Sequence, residues 1–123
     1  LIKEITFDRE YSQESRALSQ LLEAEDKLTT QIWYGRKWGI IAAVESGKKK
    51  RVPREVWEAS TPEERRGMIV DEIWDGMIAA VKSAEEQYPD ELGPWTDFEW
   101  GMLSGKLSAI RWVLGDEWDM LDT

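Results

Sequence analysis

The chain has 123 residues, which predicts a single domain over residues 1–123. Its 41% hydrophobic and 33% charged residues are typical of a globular protein and exclude a largely disordered chain. The absence of both Cys and His excludes disulfides, a Ser-His triad and every metal site built on thiolate or imidazole. The net charge of −9 argues against general duplex DNA binding.

The first elements predicted in chain order are a short strand and a long amphipathic helix. Leu1–Phe7 is rich in strand formers and predicts a short N-terminal strand or extended arm. Ser12 is a suitable N-cap for a helix that runs to about Tyr34, before a turn at Gly35–Gly39. The buried stripe of this helix consists of Leu18, Leu21, Leu22, Leu28 and Ile32.

The middle of the chain gives weaker local signals. Ile40–Glu45 is a short apolar run that fits a strand and a continuing helix equally well. Ser46–Pro53 is a basic loop, with a hairpin expected around Gly47. Pro53 then suits the first position of a short helix.

Two capping boxes mark the helices of the second half. The first precedes a long helix from Pro62 to about Gln87, and the second precedes a last helix that ends near Leu114. These elements predict a mainly α fold, a compact bundle of three long helices and one short helix. The alternative is an α+β fold in which the N-terminal strand and the Ile40 region form a small sheet. The two capping boxes are formed by Thr61 with Glu64 and by Thr96 with Glu99.

Two carboxylate pairs are candidate metal ligands. Glu23 and Asp26, like Glu72 and Asp75, are three residues apart and so share a helix face. The stretch from Asp71 to Ile78 resembles the second motif of the all-α NTP pyrophosphatases, the MazG-like family, whose helices carry an ExxE and an ExxD pair. The first pair departs from that pattern, since it reads ExxD. The resemblance implies that the four carboxylates bind Mg²⁺ and that water attacks a nucleotide phosphate. The alternative interpretation is two solvated helix faces.

A mixed aromatic and basic segment is the candidate binding surface. Basic groups neutralise phosphates and aromatic rings stack on bases, so the segment could bind a nucleotide, a nucleic-acid single strand or an acidic protein surface. Alternatively, the tryptophans belong to the core, or the segment meets the acidic C-terminal third of a second copy. The residues are Trp33, Tyr34, Arg36, Lys37, Trp38, Lys49, Arg51 and Arg54.

The last predicted helix has small residues on one side. Gly101 and Gly105 are four residues apart, which predicts close packing of another helix, inside the bundle or across a homodimer. The stretch from Glu99 to Trp118 resembles the C-termini of short uncharacterised bacterial and phage proteins, a resemblance that implies no activity.

Charge and composition favour a binding role. Residues 83–123 contain two basic and ten acidic residues, so most of the negative charge lies in the C-terminal third. With eight Trp and no strong catalytic motif, the sequence predicts a non-enzymatic adaptor that binds a protein partner and uses no cofactor. We expect this adaptor to be cytoplasmic and homodimeric and not to bind membranes. The first alternative is the Mg²⁺-dependent pyrophosphatase, and the second is an acidic nucleic-acid mimic.

Overall fold

The computed structural model describes residues 14–118. The N-terminal strand predicted over Leu1–Phe7 and the cap predicted at Ser12 lie outside the described residues. The mainly α fold is confirmed, with three long helices, two short ones and a two-stranded sheet in the described range. The elements are α1 (Leu18–Glu45), β1 (Lys50–Val52), α2 (Arg54–Glu58), α3 (Pro62–Arg65), β2 (Met68–Val70), α4 (Asp71–Gln87) and α5 (Asp97–Val113).

Helix α1 is longer than the sequence predicts. It passes through Gly35 and Gly39, so the turn expected there is wrong, and the apolar run that follows is helical. Each glycine costs only about 1 kcal/mol in a helix interior relative to Ala. Burial of Tyr34 and Ile41 on one face of the continuous helix outweighs that cost. The helix ends at Glu45, with Ser46 as its C-cap and Gly47 following at a φ of 82°.

A parallel β1–β2 pair replaces the hairpin expected around Gly47. In its register Lys50 pairs with Met68 and Val52 with Val70, and the short helices α2 and α3 form the crossover. The helix predicted over residues 62–87 is therefore wrong in its first part. The predicted capping box of Thr61 caps only α3, and the helix is interrupted at Gly67, whose carbonyl accepts from the Lys50 amide at 2.9 Å.

Helix α1 lies between α4 and α5, which make few contacts with each other. Two apolar clusters hold this arrangement together. The cluster on the α4 side contains Tyr34, Ile41, Met77, Val81, Ala84 and Leu92, and the cluster on the α5 side contains Leu28, Ile32, Leu103 and Leu107. The connection between α4 and α5 is held against α1 by a hydrogen bond. The buried Gln31 of α1 donates from Nε2 to the Glu91 carbonyl at 2.8 Å. Across residues 14–118, no helix is both long enough and apolar enough to cross a membrane.

Candidate functional site

The first carboxylate pair lies beside the C-terminal end of α4. The Tyr88 hydroxyl, one residue beyond that helix, donates to Asp26 Oδ2 at 3.2 Å. Partial burial raises the pKa of Tyr88, and the Asp26 carboxylate raises it further. Glu23 is exposed on α1. This pair therefore anchors the connection after α4 through Asp26.

The second carboxylate pair lies at the start of α4 and contacts arginines of the sheet region. Arg51 Nε lies 3.3 Å from Asp71 Oδ1, and Arg51 Nη2 lies 3.4 Å from Asp75 Oδ1. Arg54 Nη2 lies 3.3 Å from Glu72 Oε2. These carboxylates are thus compensated by cations of the same chain.

The two pairs do not form one metal site. Asp75 and Tyr88 are thirteen positions apart, which corresponds to about 20 Å along a helix, and Asp26 lies beside Tyr88. No group of three potential metal ligands is found between residues 14 and 118. The convergence of Glu23, Asp26, Glu72 and Asp75 that a shared Mg²⁺ site requires is therefore not observed.

The basic residues around β1 make contacts within the chain. Besides its two ion pairs, the Arg51 guanidinium lies over the Trp74 ring, 5.5 Å from its centroid. Lys49 Nζ donates to the Arg66 carbonyl at 2.9 Å. Together with the Arg54–Glu72 pair, these contacts tie the sheet region to its neighbours, so this part of the predicted binding segment has a structural role.

The basic residues of α1 line a shallow pocket against α5. Lys37 Nζ lies 5.8 Å from the centroid of the Trp33 ring, one helical turn earlier. With Arg36 and Arg111 they line a pocket of about 210 Å³. That volume is below the range of about 300–1,000 Å³ typical of small-molecule sites. The pocket suits a single anionic group better than a whole nucleotide.

The aromatic residues Tyr34 and Trp38 face a different and larger cleft. Their rings form an edge-to-face pair with centroids 6.0 Å apart. Tyr34 is buried, whereas Trp38 remains 47% exposed. The cleft has a volume of about 770 Å³, within the range of ligand sites. Its lining comprises Tyr34, Gly35, Trp38, Glu85, Pro89, Asp90, Leu92, Gly93, Pro94, Trp95 and Trp100.

Two glycines allow the other tryptophans to reach the cleft. A Cβ at Gly35 would lie 2.6 Å from Trp100 Cζ3, so only glycine lets this ring lie against α1. Gly93 has a φ of 96°, and a Cβ there would lie 2.9 Å from Trp95 Nε1. That indole nitrogen is buried and has no hydrogen-bond partner among the described residues. The close approach of the backbone at Gly35 and at Gly93 therefore fixes the positions of the Trp100 and Trp95 rings.

The charge around the cleft is negative. Glu85 and Asp90 are exposed and line it, and no basic residue does. Within residues 14–118 neither carboxylate has an ion-pair partner, whereas the neighbouring Glu91 binds Lys27 at 2.7 Å. An aromatic cleft with uncompensated carboxylates is suited to a cation.

Of the residues that line this cleft, the sequence analysis named only Tyr34 and Trp38 as binding residues, and it missed the other two tryptophans and both carboxylates. Trp95 and Trp100 come from either side of the second capping box, and Glu85 and Asp90 come from either side of the α4 terminus. The one available signal was the Gly-Pro-Trp sequence at residues 93–95, which places a tryptophan directly after a turn.

Comparison of the chain with protein-family models, with curated proteins and with solved structures finds no significant match.

Proposed function

We propose that the protein is a cytoplasmic, homodimeric, non-enzymatic binding module whose cleft receives a positively charged side chain of a protein partner. One observation carries the proposal: Trp38, Trp95 and Trp100 line a single cleft with the carboxylates Glu85 and Asp90 and without any basic group. The partner would present Lys or Arg from a basic segment.

The chemistry of the cleft supports a cation as its ligand. A Lys or Arg group over a Trp face gains about 0.5–1 kcal/mol at an exposed site and about 2 kcal/mol when desolvated. Glu85 and Asp90 add attraction at longer range, and the acidic C-terminal third of the chain extends it. Trp38 is exposed enough to contact an incoming group.

The same contacts give less support to an anionic ligand. Arg51 and Arg54, two of the cations expected to meet phosphates, are paired with carboxylates of α4. The pyrophosphatase alternative needs a carboxylate cluster, which is not formed among residues 14–118. A nucleic-acid mimic would use carboxylates spaced over its surface and would not require the tryptophans of the cleft.

Titration with small cationic probes tests the proposal. The probes are tetramethylammonium and a peptide of alternating Arg and Gly, with a Glu-Gly peptide as the charge control, followed by tryptophan fluorescence and calorimetry. We expect the Arg peptide to bind and Trp38→Ala to raise its Kd at least tenfold, equivalent to about 1.4 kcal/mol. Tetramethylammonium should quench or shift the tryptophan emission.

Neighbouring carboxylates of α4 supply a matched control. Glu85 lines the cleft and Glu86 does not, although both are exposed. Glu85→Gln should weaken peptide binding severalfold more than Glu86→Gln. Equal effects of the two substitutions, together with an unchanged Kd for Trp38→Ala, would favour the nucleic-acid mimic. Mg²⁺-dependent pyrophosphate release from nucleotides would instead establish the enzyme.

A further inference from the structure

Helix α5 carries an apolar face that stays largely exposed in the described chain, where the Trp118 ring lies edge-to-face on Trp112 with centroids 5.5 Å apart. Phe98 is 76% exposed, Trp112 56% and Val113 57%, and Met102 is 45% exposed. Steps of three and four residues place these side chains on one stripe, opposite the buried Leu103 and Leu107. No position of the stripe is charged, although one residue in three of the chain is. The stripe consists of Phe98, Gly101, Met102, Gly105, Ala109, Trp112 and Val113.

The two glycines of the stripe have no packing role within the described chain. A Cβ built at Gly101 or at Gly105 meets no atom within 4 Å. Of the two alternatives expected from the sequence, close packing inside the bundle is therefore not observed among residues 14–118. Glycine destabilises a helix interior relative to alanine, and alanine would fit at both positions. The contacts within residues 14–118 therefore do not explain why glycine occupies these two positions.

The stripe is self-complementary. Its aromatic residues, Phe98 and Trp112, lie at the two ends, symmetrically about the small central Gly105, and Met102 is the one bulky side chain of the stripe between them. Phe98 and Trp112 are each seven positions from that glycine. In an antiparallel pair of α5 helices, Gly105 would lie on the two-fold axis, and Phe98 would lie against the partner's Trp112. Small central residues allow close helix approach while the bulky ends fill the flanking space.

We propose that a second copy of this chain docks on this stripe, forming an antiparallel α5–α5 dimer about Gly105. The inference rests on the homodimeric part of the proposed function and not on ligand binding in the cleft. The exposed parts of Phe98, Met102, Trp112 and Val113, together with that of Trp118, which lies beyond α5 and packs on Trp112, amount to about 500 Å² per protomer, since a large aromatic side chain presents about 150–250 Å². Two protomers would bury about 1,000 Å², the lower bound for a specific interface.

This arrangement leaves the cleft accessible. Trp100, which lines the cleft, lies on α5 together with Leu103 and Leu107 on the side that packs against α1. The stripe lies on the opposite side of the same helix. Dimerisation and cleft binding are therefore separable, and each can fail without the other.

Substitution of the central glycine gives the sharpest test. The full chain should be dimeric by sedimentation equilibrium, and Gly105→Leu should raise the dimer Kd at least tenfold. Because a Cβ at Gly105 meets no atom within 4 Å among residues 14–118, circular dichroism should show an unchanged fold. Gly76→Leu on α4 is the matched control, since a Cβ there also meets nothing within 4 Å, and it should leave the dimer intact.

Cross-linking tests the antiparallel register. The chain has no Cys, so a single introduced thiol reports one position. A residue on the two-fold axis meets its own copy, within the Cα separation of about 4.4–6.8 Å that a disulfide requires. Oxidised Gly105→Cys should therefore form a covalent dimer rapidly, and Gly76→Cys should not. Rapid cross-linking of both variants, or of neither, would overturn the proposed register.

Salt distinguishes this interface from a dimer between the basic segment and the acidic C-terminal third. An apolar interface should keep or tighten its Kd between about 0.05 and about 0.5 M NaCl, where surface charges become screened. A dimer that dissociates with salt, or a chain that stays monomeric at high concentration, would overturn the α5 interface. Unchanged binding of the Arg peptide by Gly105→Leu would show that cleft function is intact in either case.

Discussion

The two halves of the aromatic and basic segment, residues 33–38 and residues 49–54, make different contacts in the fold. In the helical half, within α1, Tyr34 and Trp38 line an open cleft. In the loop half, around β1, Arg51 and Arg54 are paired with carboxylates at the start of α4. Only residues 39–48 separate the two halves in sequence, yet they face different surfaces of the molecule.

The comparison shows that a cation is available to a ligand only if the fold leaves it without a partner. The arginines of the loop half meet acids of their own chain, so they contribute little positive potential. Trp38 of the helical half lines the same cleft as Glu85 and Asp90, which lack an ion-pair partner in the described part of the chain. A segment that resembles an anion site in sequence thus becomes part of a site suited to cations.

The largest expected effect on stability comes from the helical half. Gly35→Ala should lower the free energy of unfolding by about 1–3 kcal/mol, because the added Cβ would meet the Trp100 ring at 2.6 Å. The displaced ring should also weaken binding in the cleft. Denaturant unfolding and titration with the Arg peptide measure the two effects.

Gly39→Ala is the matched control for that substitution. It lies one turn further along the same helix, where a Cβ meets nothing within 4 Å. It should raise the free energy of unfolding by up to about 1 kcal/mol through helix propensity alone. Stabilisation by both substitutions would mean that Trp100 does not rest on Gly35, and the described wall of the cleft would be wrong.

The sequence predicted those features that depend on local spacing. Both capping boxes are present as expected, with the Thr96 hydroxyl accepting from the Glu99 amide at 3.2 Å. It failed where long-range packing overrides local preference. The continuation of α1 through Gly35 depends on the burial of Tyr34 and Ile41 against distant residues of α4, and the partners of Arg51 depend on strand register. The cleft combines residues of α1, α4 and α5, which no local pattern connects.

A smaller effect is expected in the loop half. Arg51→Met should lower the free energy of unfolding by about 0.5–1 kcal/mol, since the side chains of Arg51 and Asp71 are each more than 40% exposed and such pairs are weak. This decrease in the free energy of unfolding should be smaller at high salt, because salt screens the Arg51 ion pairs in the unsubstituted protein as well. Binding of the Arg peptide in the cleft should be unchanged.

Lys48→Met is the control, because it removes the same charge from an exposed position beside the strand. It should change the free energy of unfolding by less than about 0.5 kcal/mol. If Arg51→Met instead strengthened or abolished peptide binding, the separation between the two halves would not hold.

The smallest expected effect is a pH dependence of stability that involves the α4–α5 connection and not the loop half. The Tyr88 hydroxyl holds the α4–α5 connection to α1 through Asp26, and its folded-state pKa is raised by partial burial and by that carboxylate. A raised pKa means that its contribution to stability is fully present below the ordinary pKa of 10.0 and is lost as pH rises through the folded value. Thermal unfolding should therefore show an alkaline loss of stability that Tyr88→Phe removes. The arginine pairs of the loop half stay charged over this range, so Arg51→Met should leave the alkaline loss unchanged. If the alkaline loss of stability persists in Tyr88→Phe, another group causes it, and the Tyr88–Asp26 hydrogen bond does not hold the connection to α1.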